Sequence, residues 1–195
     1  MYFFYLLDDE LAQEQWSLLY PKRREKKKYP PYQINLSEVT MKANYIENFE
    51  EWKQEFFFSA PVQVRFSETD MFGHVNNTVP IAYFEFARIE FMKEMGLMQR
   101  WLEDGSELFP VVADMQVDFI QQVFFDEKLD VHVKISRVGT SSVDVHYWTV
   151  NEKAETCFTG RGAIVQISKQ TGKGYPWTEQ DIEMLRSEQL ATAKK

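Results

Sequence analysis

The sequence predicts an α+β domain: a curved antiparallel five-stranded sheet wrapped around one long buried helix. Two patterns carry this. "PIAYFEFARIEFMKEM" (80–95) places apolar residues around most of a helical circumference, and such a helix is enclosed by its own domain. One stretch of apolar–polar alternation precedes it and four follow in succession, as antiparallel strands joined by short turns would. A single sheet curling around the helix buries both with the fewest elements.

Residues 1–40 differ from the remainder. "DDELAQEQWSLLY" suits a short amphipathic helix carrying Leu11, Trp16, Leu18 and Leu19; "KRREKKK" is basic, and the prolines of "YPPYQ" forbid regular structure. The segment is expected to be an atypical extension or linker. The alternative expectation is that Met41 is the natural start and the segment a gene-calling artefact.

The domain itself is expected over 41–175. "VQVRFSE" (62–68) reads as its first strand, with Val62, Val64 and Phe66 inward. In the central helix, Asn76 or Asn77 caps the N-terminus, Pro80 sits in the first turn where no intrahelical N–H bond is needed, and Gly96 ends it. Ile81, Phe84, Ala87, Phe91 and Met95 form the main stripe, which Tyr83, Phe86, Ile89 and Met92 widen. The later strands are "VADMQVDF" (112–119), "LDVHVKI" (129–135), "VDVHYWTV" (143–150) and "TCFTGRGAIVQI" (156–167), the last carrying two glycines that suggest a bend. "GTSS" (139–142) turns the chain between the second and third of these. Residues 176–195 are expected to hold a C-terminal helix opened by Thr178, with Gln180 and Asp181 behind it.

Composition narrows the function. A net charge of -8 argues against nucleic acid, whose phosphates need a basic surface. One cysteine, Cys157, excludes an internal disulfide and fits a reducing compartment. No apolar run approaches the roughly 20 residues that span a bilayer, and "MYFFYLLDDE" lacks the basic start of a signal peptide, so a cytoplasmic protein is expected. An aromatic content of 15% points to a bulky core or an apolar ligand site.

Chemistry concentrates in "SETDMFGHVNNTVP" (67–80), which joins the first strand to the helix. Asp70 is either a turn-forming residue or a base or nucleophile. Gly73, lacking Cβ, lets a substrate carbonyl approach the backbone closely. The helix N-terminus offers unpaired N–H groups and a partial positive charge. His74 either polarises a carbonyl or bonds within the loop. Asn76 and Asn77 read as caps, one of them also able to touch substrate. Glu85 can pair with Arg88 on the helix. His132 and His146 fall on polar strand faces and read as solvated, while Cys157 reads as a core residue. Three scattered histidines and one cysteine make no metal-ligand spacing, so neither a metal nor a cofactor is expected.

The order strand, "ETDMFGHVNN", "YFEFARIEFM", "SRVGTSSV" and final long strand resembles the hotdog-fold acyl-CoA thioesterases typified by 4-hydroxybenzoyl-CoA thioesterase, over about residues 58–170. In that family the loop aspartate is catalytic, and Asp70 matches it. "HVNN" also resembles plant acyl-carrier-protein thioesterases, which place an asparagine two residues after the aspartate and a histidine four after it. His74 matches that histidine, whereas Phe72 replaces the asparagine. Small bacterial members often carry histidine where Asn77 stands and tyrosine where Pro80 stands. The resemblance implies hydrolysis of acyl-CoA or acyl-carrier-protein thioesters, with Asp70 as base or nucleophile and His74 beside it. It also implies a homodimer or homotetramer with active sites at the interface. Along "SRVGTSS", Arg137 could meet a phosphate of CoA, and Ser141 or Ser142 could donate hydrogen bonds. The alternative is a non-catalytic hotdog module binding acyl-CoA as a sensor or scaffold, which would be expected to lack the loop acid.

Overall fold

The computed structural model describes residues 43–186. The expectations for residues 1–40, and for the C-terminal helix beyond Arg186, lie outside the described residues. Within them run α1 (Phe49–Gln54), β1 (Phe58–Gln63), a 3-10 turn (Phe66–Glu68), α2 (Val79–Glu94), α3 (Leu97–Leu102), β2 (Leu108–Val112), β3 (Gln116–Phe119), β4 (Lys128–Val138), β5 (Ser142–Asn151), β6 (Thr156–Ser168) and α4 (Glu179–Arg186).

The strands form one antiparallel sheet in the order β1-β4-β5-β6-β2, with β3 also paired to β6. β2 and β3 fill a single position beside β6. Val112 faces Ile164 and Gln116 faces Arg161, so Ala113–Met115 lie against Gly162 and Ala163, and the extra residue makes a bulge. The predicted five positions are therefore present, one of them broken. Asp114 stitches the break, accepting from the Ala163 N–H at 2.8 Å.

α2 lies across the sheet and buries Tyr83, Phe84, Ala87, Phe91 and Met92. Phe84 stacks on Tyr147 at 4.4 Å and 8°. Next to Tyr147, its partner across the ladder in β6 makes room for the same ring: a Cβ added to Gly160 would stand 2.4 Å from Phe84. A curled sheet covers only one side of a helix, so Ile81 and Phe86 remain 44% and 43% exposed, contrary to the all-round burial expected. Arg88 turns inward and donates to the Tyr147 hydroxyl at 3.2 Å instead of pairing with Glu85, because the enclosed phenol takes a hydrogen-bond partner there. Gly96 adopts a left-handed conformation (φ 78°) and ends the helix as expected.

β1 begins earlier than the alternation suggested. Phe66 falls in the 3-10 turn and is 77% exposed rather than inward. At the far end, Thr178 and Asp181 cap α4 reciprocally, the Thr178 hydroxyl accepting from the Asp181 N–H at 3.1 Å and the Asp181 carboxylate from the Thr178 N–H at 2.9 Å. Trp177 and Leu185 join the main core.

A second cluster sits on the opposite face of the sheet. Ala43, Ile46 and Trp52 are buried there, with Tyr45, Phe49, Phe56 and Trp148 around them. Trp52 covers His146, which is only 3% exposed rather than solvated. The alternation put His146 on the polar face correctly, but α1 lies over that face. Lys134 is buried beside it, paired with Glu55 and standing over the Trp52 and Phe56 rings.

Candidate active site

The segment from Thr69 to Thr78 is a closed turn docked against the chain that leads into β4. Asp70 N–H donates to the His74 carbonyl at 2.7 Å, and Gly73 N–H returns to the Asp70 carbonyl at 3.0 Å. Gly73 has φ 82°, and a Cβ there would meet nothing, so the glycine serves the turn's conformation. Val75 N–H reaches the Val123 carbonyl at 2.8 Å, while Asn76 N–H reaches the Glu68 carbonyl at 2.9 Å.

Asp70 divides its carboxylate between two tasks. Oδ1 accepts from the N–H groups of Phe72 at 2.8 Å and His74 at 3.2 Å. Oδ2 takes no hydrogen bond among the described residues. The turn is thus built on one oxygen, and the other stays open for chemistry. His74 packs edge-on against Phe124 at 5.0 Å, and its imidazole likewise has no hydrogen-bond partner among the described residues.

The entry to α2 departs from the expected side-chain cap. Thr78 is the capping position and makes no capping bond. Asn76 organises the entry instead, its Oδ1 accepting from Thr78 N–H at 3.0 Å and Oγ1 at 2.9 Å, and its carbonyl from Val79 N–H at 2.9 Å. The consequence for free donors is specific. From Asp70 to Val79, every backbone N–H except those of Met71 and Asn77 has a partner among the described residues. Pro80 has none to give. Of the stretch Gly73–Asn77, only Asn77 therefore presents an available N–H at the helix mouth.

Glu68 and Tyr83, unremarkable in the sequence, brace this turn. The Tyr83 hydroxyl donates to Glu68 Oε2 at 2.8 Å, and the same oxygen accepts from Arg65 N–H at 2.7 Å. The only sequence signal was a tyrosine one turn into an apolar helix, whose hydroxyl needs a partner if buried. Around the turn, Phe66, Met71, Phe72, Phe124 and Phe125 are exposed, forming an apolar rim.

Asp70, Gly73, His74, Asn76 and Asn77 are thus brought together in one turn. Arg137, Ser141 and Ser142 are not. The turn lies by the start of β4, through the His74–Phe124 bridge and the Val64–Glu127 bond, whereas Arg137 is near the end of β4. The strand between them spans on the order of 30 Å. Ser141 and Ser142 lie in the hairpin beyond it, where the Ser141 carbonyl accepts from Gln166 N–H and the Ser142 carbonyl from the Trp177 indole. A cleft of about 510 Å³ lined by Trp101, Gln166, Tyr175 and Asp181 lies at that same end. Cys157 is buried, and burial, with Glu127 and Glu155 adding to it, pushes its thiol up to about 12, which removes it as a nucleophile. No helix among the described residues is long and apolar enough to cross a membrane.

Residues 64–186 match the family model described as the thioesterase-like superfamily. The chain is 45% identical over 137 residues to the uncharacterized protein YsmA of Bacillus subtilis, covering 70% of this chain and 90% of that one. It is 29% identical over 86 residues to the acyl-CoA thioesterase YbgC of Haemophilus influenzae, covering 44% and 63%. Among solved structures, a thioesterase complexed with coenzyme A and zinc from Thermus thermophilus superposes with a TM-score of 0.59 at 30% identity, over 71% of this chain and 98% of that one.

Proposed function

Because the chain belongs to the thioesterase-like superfamily and has its hotdog fold, we propose that it hydrolyses acyl-CoA or acyl-carrier-protein thioesters to a free acid and a thiol. One observation carries the reading: a loop carboxylate with one oxygen fixed and one without a hydrogen bond among the described residues stands in the same turn as the Asn77 N–H, which is likewise unbonded among them, at a helix mouth. Hydrolysis needs a base or nucleophile, and a donor where negative charge develops on the carbonyl oxygen. Asp70 Oδ2 supplies the first, either deprotonating water or attacking the carbonyl carbon to give an anhydride that water opens. The Asn77 N–H supplies the second, with His74 beside it. In both routes the thiolate leaves and is protonated, and the acid is released. Coenzyme A in the Thermus thermophilus relative supports a CoA thioester as substrate. The lone cysteine supports a cytoplasmic setting.

The functional unit is at least a homodimer. Among the described residues no strand pairs with the outer side of β2 and β3, and Val111, Val112 and Phe119 along that edge are exposed. Antiparallel pairing of two such edges reverses one copy, so a partner's Arg137, Ser141 and Ser142 come to the end that carries Asp70, where they can hold the CoA phosphates. A thiol-release assay against aliphatic and aromatic acyl-CoA and acyl-carrier-protein thioesters tests the activity. Turnover that disappears in Asp70→Asn is expected; no release from any thioester would overturn it.

A further inference from the structure

Asp70 and Asn77 sit on opposite arms of the turn, and their separation decides whether one carbonyl can meet both. Glu68 touches both arms. Its side chain is two residues before Asp70, and its carbonyl holds the N–H of Asn76, the residue before Asn77. The Glu68 carboxylate is in turn gripped from inside the helix by Tyr83, which is 6% exposed. Burial, with the carboxylate adding to it, pushes the Tyr83 phenol above its usual range, so it remains the donor. Asn76 closes the other side through Thr78 and Val79.

We infer that the Tyr83–Glu68 hydrogen bond is the brace that sets the distance between the Asp70 carboxylate and the Asn77 N–H, making Tyr83 and Glu68 positioning residues for thioester hydrolysis. This rests on the hydrolase reading above. Like Asp70, Glu68 takes both its hydrogen bonds on one oxygen, Oε2, while Arg65 Nη1 stands 3.9 Å from the other, so Glu68→Gln is the variant that tells a brace from a second base. Small errors in the placement of reacting groups are expensive in rate, so loosening the brace acts on turnover before it acts on binding.

The test compares Tyr83→Phe, Glu68→Gln, Glu68→Ala and Asp70→Asn with wild type by steady-state kinetics and by backbone hydrogen exchange over residues 68–79. Tyr83→Phe keeps the ring and its packing, so kcat should fall on the order of tenfold with KM unchanged. Exchange at Asn76 should quicken. Glu68→Gln retains an oxygen able to accept both bonds and should restore most of the turnover that Glu68→Ala loses. Wild-type kcat and exchange in Tyr83→Phe overturn the inference. So does Glu68→Gln as inactive as Asp70→Asn, which would make Glu68 the base. If wild type itself releases no thiol, the hydrolase reading fails on its own, and unchanged exchange in Tyr83→Phe then rejects the brace separately.

Discussion

The Trp52 indole N–H donates to His146 Nδ1 at 2.9 Å, joining residues 94 positions apart. The proton of the neutral ring is therefore on Nε2, which has no hydrogen-bond partner among the described residues, the Asp144 carboxylate standing 3.9 Å away. Burial, only partly offset by Asp144, lowers His146 to about 4. Lys134 and Arg161 press in the same direction, while Glu55 opposes them; Tyr45 and Trp52 contribute ring contacts without charge. Protonation would also turn Nδ1 from acceptor to donor and break the Trp52 bond.

The unfolded histidine takes its proton near 6.5 and the folded one only near 4, so the unfolded state binds more protons in between. Stability is complete above pH 6.5 and is lost as pH falls toward 4, by roughly 3 kcal/mol at most. Urea midpoints at pH 7 and pH 5 should differ less in His146→Gln than in wild type. His132, lowered by burial against the opposing charge of Asp130, adds to the slope in the same direction and remains in the variant.

Lys134 and Glu55 should respond unequally to mutation. Burial lowers Lys134, and Glu55 works against that lowering. Glu55→Gln leaves a buried ammonium without its counter-charge and should destabilise by up to about 3 kcal/mol, less because the Glu55 side chain is 63% exposed. Lys134→Met removes charge and desolvation together and should be near neutral. Equal losses in thermal melts of the two variants would show that the pair acts through packing alone.

Asp70→Asn preserves an Oδ1 able to accept from Phe72 and His74, so the turn should survive within about 1 kcal/mol. Turnover should drop by ~10² or more, with acyl-CoA binding retained. His74→Ala should cost less, since water can replace its donor. Single-turnover kinetics beside thermal melts separates this from a purely structural aspartate, whose loss would lower stability and leave the rate.

If the proposed dimer pairs through this edge, Val112→Lys should leave a folded monomer. Val112 is 42% exposed on the open edge, and pairing would bring two like charges together beside the bulge. Light scattering should report a monomer, and activity should fall with the dimer fraction. A fully active monomer would remove the partner's hairpin from the site.

The helix and sheet were legible because their periodicities are local. The apolar stripe through Phe84 and Phe91, and the alternation around Val131 and Val145, need no knowledge of distant chain. Asp70, Gly73 and His74 were legible for the same reason, falling within five consecutive residues. What stayed hidden depends on contacts across the fold. His146 was placed on the right face, but its cover arrives from Trp52. Glu68 meets Tyr83 fifteen positions later, inside a stripe that reads as purely apolar. The free N–H of Asn77 emerges only after its neighbours' donors have been assigned.

Phe84 and Gly160 have a consequence for how this sequence can drift. The ring occupies the space a side chain at 160 would fill, and the Gln116 carbonyl closes the remaining room at 2.7 Å from such a Cβ. A smaller residue at 84 removes one of these two obstacles to a methyl at 160 and leaves the Gln116 carbonyl as the other. Variation at the two sites should therefore be coupled although they lie on different elements far apart in the chain, and the stability lost in Gly160→Ala should be partly restored by adding Phe84→Leu.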